Sequence, residues 1–131
     1  MFVDASALTA MIAGESDASE LVARLDQAQT LVTSPIAVWE ATVALARLSG
    51  KSIKDVRKDV ERFLELAEIR TLPVPPEIAA IALDAFDRFG KGRHPAKLNM
   101  GDCFAYACAR HFGEPLLYKG ADFPLTDIEA G

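Results

Sequence analysis

Four carboxylates in this 131-residue chain stand where an acid is costly or conspicuous. Glu40 is the only charged residue in SPIAVWEATVALA, residues 34–46. Asp102 is the only charge between Lys97 and Arg110. A lone acid in an apolar helical segment costs free energy unless it is paired or holds a metal. Asp4 stops the short apolar run Phe2-Val3, and Asp122 closes Leu116-Leu117-Tyr118-Lys119-Gly120-Ala121-Asp122. Taken singly, three of the four have ordinary explanations. Asp4 could cap a helix, Asp102 could be a first-turn acid favoured by the helix dipole, and Asp122 could be a turn residue. Glu40 lies too far into its helix to cap it. Taken together, converging carboxylates repel and raise one another's pKa values, a conflict that a divalent cation removes. All-oxygen ligation suits Mg²⁺ or Mn²⁺, and no histidine or cysteine is placed where zinc would need it. Such an ion can activate water and stabilise charge on a phosphodiester.

These acids depend on the elements that carry them. Phe2-Val3 reads as a buried strand ending at a loop, after which Ser6 can cap a helix over residues 7–13. Apolar periodicity predicts helices over 19–29, 35–48 and 52–67, the second opened by Ser34-Pro35 and closed by Gly50. Residues 30–33, 69–74 and 115–118 read as further strands. Pro75-Pro76 opens a helix to about Phe89, residues 90–95 form a loop, and 101–111 is helical. A short fifth strand is expected near 126–128, and Trp39 reads as a core residue. Short apolar strands alternating with helices predict one α/β domain over residues 1–131. Its architecture would be a three-layer α/β/α sandwich around a parallel sheet of four to five strands. Ligands of such sheets bind beyond the carboxyl ends of the strands, where Asp4 and Asp122 fall.

Half of the residues are hydrophobic, enough for a proper core without disulfide or metal staples. With 14 Lys+Arg against 19 Asp+Glu the net charge is −5, so binding to nucleic acid would need local basic residues or a metal. Cys103 and Cys108 are five residues apart, roughly 140° around a helix, which disfavours a disulfide or shared metal and fits a reducing cytosol. The N-terminus has no basic region and meets an acid at its fourth residue, unlike a signal peptide. No apolar stretch is long enough for a membrane span. The expectation is a soluble, cytoplasmic protein.

Asp4-Ala5-Ser6-Ala7-Leu8, Glu40 in the helix after the second strand, Lys97-Leu98-Asn99-Met100-Gly101-Asp102-Cys103 and Leu117-Tyr118-Lys119-Gly120-Ala121-Asp122-Phe123 together resemble a PIN-domain protein. More narrowly, they resemble a VapC-type toxin of bacterial type II toxin–antitoxin pairs. The resemblance spans the whole chain, with the four acids in that family's order and spacing. It implies a Mg²⁺- or Mn²⁺-dependent endoribonuclease that cuts RNA by activating a water, with Asp4, Glu40, Asp102 and Asp122 as catalytic and metal-holding acids. Asp122 occupies the family's most variable acidic position, and Ala121 stands where relatives often carry a polar or acidic residue. The resemblance also implies that Ser6 orients Asp4 or a water, and that Asn99 supports the site or simply starts its helix. A cognate antitoxin protein would lie across the active-site groove, and the chain would form a homodimer.

Arg88, Lys91, Arg93, His94 and Lys97 gather within ten residues just before Asp102. This loop either guides RNA phosphates toward the acids, with Arg93, His94 and Lys97 as the contacts, or is simply solvated. Lys51, Lys54, Arg57 and Lys58 are broken by Asp55 and Asp59 and read as a solvated helix face. His111 fits a helix end favoured by the dipole. A haloacid-dehalogenase-like phosphatase wants a second acid two residues after the first, where this chain has Ser6. A receiver-like signalling module wants paired acids after strand one and a phosphoacceptor after strand three, which here ends in Val74-Pro75-Pro76. A degenerate PIN-like module that only binds a partner is the remaining alternative, and four intact acids argue against it.

Overall fold

Successive residues of a strand point to opposite faces of its sheet, so even a two-residue strand can feed two separate cores. The computed structural model, which describes residues 1–131, shows this in its central strands. β1 (Phe2–Val3), β2 (Val32–Thr33), β3 (Arg70–Thr71) and β4 (Leu116–Leu117) form one sheet in the order β3-β2-β1-β4, every pair parallel. Phe2 lies opposite Val32 and Leu116, and these three enter a core with α5 (Glu77–Phe89) and α6 (Met100–Phe112). Val3 and Leu117 point the other way. They enter a second core with α1 (Ala5–Ala13), α2 (Ala18–Leu25), α3 (Pro35–Ser49) and α4 (Ile53–Leu66). The result is the expected three-layer α/β/α fold.

Capping chemistry sets most helix bounds. Ser34 accepts the N–H of Ala37 at 3.1 Å ahead of Pro35, and α3 ends at Gly50 with φ +69°. The strands differ more from expectation. β3 is confined to Arg70 and Thr71, both exposed at the sheet edge. Leu72 still donates to Thr33 at 2.9 Å, but Pro73 has no N–H with which to continue. The fifth strand expected near 126–128 does not form. Phe123–Leu125, with Pro124 at its centre, makes a 3-10 turn instead, and the tail meets the sheet only in one parallel bridge of Ala130 to Leu116, through bonds of Glu129 and Gly131. Asp127 ties this tail down, accepting from Arg88 at 2.7 Å and from the Tyr106 hydroxyl at 2.6 Å. Both cysteines are free and buried. No helix is long and apolar enough to cross a membrane.

Candidate active site

Asp4 is the residue at which β1 turns into α1. Its N–H donates to Leu117 at 2.9 Å, so its backbone still belongs to the sheet. Its Oδ2 accepts the N–H of Ser6 at 3.0 Å and caps α1. The Ser6 hydroxyl donates to that same oxygen and accepts the N–H of Lys119 at 3.0 Å. Ser6 therefore sits inside α1, which starts at Ala5, and is not the cap its position suggested. It ties Asp4 to the loop that follows β4.

Asp102 is held by its own helix start. Asn99 accepts the N–H of Asp102 at 2.9 Å, and Asp102 Oδ2 accepts the N–H of Asn99 at 2.9 Å, a reciprocal capping box. Asn99 is thus the helix-start asparagine. Both aspartates cap through Oδ2 only. Capping and availability to a ligand are therefore compatible in each.

Glu40 arrives from α3 and leans on the first turn of α6. A Cβ built on Gly101 would fall on the Glu40 carboxylate, so the missing side chain at that position is what lets the acid lie there. The sequence carried a hint of this, since glycine is a poor choice inside a first helical turn.

Asp4, Glu40 and Asp102 open onto one cleft of ≈ 640 Å³, walled by Ser6, Trp39, Arg47 and Lys119 among others. Trp39 is 65% exposed, not a core residue: the turn of α3 that carries it faces the cleft, not the sheet. Asp122 is exposed at the start of the 3-10 turn and lies outside the cleft lining, though its charge still acts on Asp102. No base pairs with Asp4, Glu40 or Asp102 in any ion pair of the chain. Lys119 is engaged by Glu15 and, at 3.1 Å, by Asp17.

The electrostatic consequence is uniform in sign. Burial raises the pKa of Asp4 despite its Ser6 hydrogen bonds. Burial, then the charges of Asp4 and Asp102, push Glu40 up to about 7. Burial also pushes Asp102 up to about 6, offset by the Asn99 N–H and reinforced by Asp4 and Asp122. No three His, Cys, Asp or Glu side chains stand close enough to hold one ion as arranged. The donor set nevertheless fits a hard divalent cation, being all oxygen, mutually repelling and uncompensated.

The predicted basic contacts fall elsewhere. Arg93 pairs with Asp87 at 2.7 Å, and His94 accepts the N–H of Ala96 at 3.1 Å and packs edge-on against Phe89. Lys97 is exposed, and none of the three lines the cleft. Nearness to Asp102 in sequence is undone by the loop itself. Leu98 donates back to Phe89 at 3.0 Å, and Lys91 to Leu98 at 3.0 Å, which closes residues 90–98 against α5. The cations that do reach the cleft are Arg47 and Lys119, neither of which stood out in the sequence.

The PIN-domain family model matches residues 1–129. A VapC ribonuclease of Rhizobium meliloti is 40% identical over 139 residues, covering 97% of this chain and 98% of its own. A ribonuclease VapC of Mycolicibacterium smegmatis is 35% identical over 130 residues, covering 99% and 98%. Among solved structures, VapC20 of Mycobacterium tuberculosis, described as a sarcin–ricin loop cleaving toxin, matches with a TM-score of 0.73 over 97% of this chain and 95% of that one. Its identity is 18%, so this likeness is one of fold.

Proposed function

Since this chain belongs to the PIN-domain family, we propose that it is an endoribonuclease, the toxin of a type II toxin–antitoxin pair, dependent on Mg²⁺ or Mn²⁺ held by Asp4, Glu40 and Asp102, with Asp122 acting on Asp102 through its charge. One observation carries this reading. Three carboxylates from three different elements share an open cleft with no base to neutralise them. A bound divalent cation would supply the missing positive charge, acidify a water and stabilise charge on the phosphodiester.

The chain's own residues set the acids in advance. Ser6 and the Lys119 backbone orient Asp4, Asn99 orients Asp102, and the bare backbone of Gly101 seats Glu40. Ser6 also occupies the position, two residues after Asp4, where a haloacid-dehalogenase-like phosphatase would need its second acid. The same reading includes an RNA substrate, a cognate antitoxin protein, a homodimer and a cytoplasmic location.

The test is incubation of the purified chain, free of bound partner, with structured RNAs and Mg²⁺ or Mn²⁺, beside an Asp4→Asn/Asp102→Asn double variant. Cleavage that stops with chelator and is absent from the variant is the expected result. Equal cleavage by both proteins would mean a contaminating nuclease. Metal binding without cleavage by either would favour the partner-binding alternative.

A further inference from the structure

We propose that Trp39 is a stacking platform for one unpaired nucleobase of the RNA substrate beside the acids. The proposal rests on the ribonuclease reading above. Tryptophan is highly buried on average, yet this chain leaves its only one 65% exposed. The residue lies on the wall of the cleft and immediately precedes Glu40 in α3. Trp39, Val43 and Arg47 follow one another at four-residue steps, so they form one stripe along the cleft wall. Arg47 is exposed and enters no ion pair.

The surroundings decide between occupants. A protein partner anchored by an aromatic residue needs an apolar neighbourhood from which water is excluded. Here the cleft around Trp39 offers only the small apolar side chains of Ala5, Val43 and Ala44, and otherwise presents polar groups such as Ser6, Thr9, Glu15, Arg47 and Lys119. A single ring face in a mostly polar cleft, with one unpaired guanidinium two turns away, suits a base and its phosphate. A duplex keeps its bases stacked on one another and offers the ring no face. Trp39 would therefore hold a splayed base beside the acids, while Arg47 holds the backbone two turns along.

The chain's single tryptophan makes the test specific, because emission excited at the red edge of the indole band reports Trp39 alone. The wild-type chain with Mg²⁺ is titrated with a 2′-O-methyl, uncleavable single-stranded oligoribonucleotide, the same sequence as a duplex, and an abasic strand of equal length. Quenching by the single strand only is expected. Trp39→Ala should weaken binding by roughly 5- to 150-fold and raise KM more than it lowers kcat, with an unchanged melting temperature. Trp39→Phe should stay within a few-fold of wild type. Equal quenching by the abasic strand or the duplex overturns the proposal. So does wild-type cleavage by Trp39→Ala; if that variant had instead lost affinity for an antitoxin, Trp39 would be a protein-docking residue. Failure of the wild type to cleave any RNA is a separate result, which removes the ribonuclease reading itself.

Discussion

Glu40 rests against Gly101 with no basic residue paired to it, and this contact makes the smallest substitution near the cleft informative. Gly101→Ala puts a methyl group where the carboxylate lies, and the flexible glutamate is the side that yields. Gly101 has no left-handed φ, and alanine favours a helix by about 1 kcal/mol over glycine. We expect the melting temperature to hold or rise while RNA cleavage falls at least about tenfold, the scale of a displaced supporting contact. Undiminished cleavage would show that the seat of Glu40 is immaterial. The same acids govern stability against pH. Folded values of about 7 for Glu40 and about 6 for Asp102 lie above their ordinary 4.5 and 3.8. Between those limits the folded chain keeps protons that the unfolded chain has released, so this stability is full at low pH and disappears as pH rises through the folded values. Melting followed without divalent cation from about pH 5 to about pH 7.5 should therefore show a declining temperature, with a shallower decline in Glu40→Gln. A level profile in the wild type would contradict the assigned burial and repulsion. Asp122 stands outside the cleft, but Asp4, Glu40 and Asp102, which share it, were legible in the sequence because each breaks an apolar run or ends a strand. Trp39 was not, since its neighbours Val38 and Ala41 are apolar and nothing local reveals which face of α3 borders a cleft. Gly101 gave only the hint of a glycine in a first helical turn, because its missing side chain matters only when Glu40 arrives from another helix.

α6 begins in a reciprocal cap that also orients Asp102, so stability and activity are linked there. Asn99→Ala should cost about 1 kcal/mol in chemical denaturation and lower cleavage as well, whereas Asn99→Ser should keep most of the stability. If Asn99→Ala unfolded no more easily than wild type, the cap would be ornamental. Helices were the readable elements because their ends carry chemistry that acts within a few residues, as Ser34-Pro35 and Gly50 do for α3. Strands were less readable. Two paired residues are a weak signal, and β3 was cut short by Pro73, which lacks the N–H a longer ladder needs. The tail turns at 123–125 and is held by Asp127 before it meets the sheet at 129–131. The basic loop misled for a related reason, since backbone bonds to Phe89 and Leu98 turn residues 90–98 away from the acids they precede.

At the scale of the molecule, the sheet separates two cores and β1 touches both, through Phe2 on one face and Val3 on the other. Phe2→Ala should cost about 3–5 kcal/mol, a large share of the roughly 5–15 kcal/mol that holds a typical domain together. Loss of the cooperative thermal transition, followed by circular dichroism, is the expected signature, and a shift of only a few degrees would show that the core relaxes around the gap. This layering also orders events in time. Asp4 and Glu40 belong to the first third of the chain, while α6 and β4 are translated near its end. β1 pairs with β4 across more than a hundred residues, and Asp102 comes from the layer opposite α3. Asp4 and Glu40 thus come from the early part of the sequence and Asp102 from the late part. The cleft gains its third acid only once α6 has packed across the sheet, an order of assembly set by the long connection from β1 to β4.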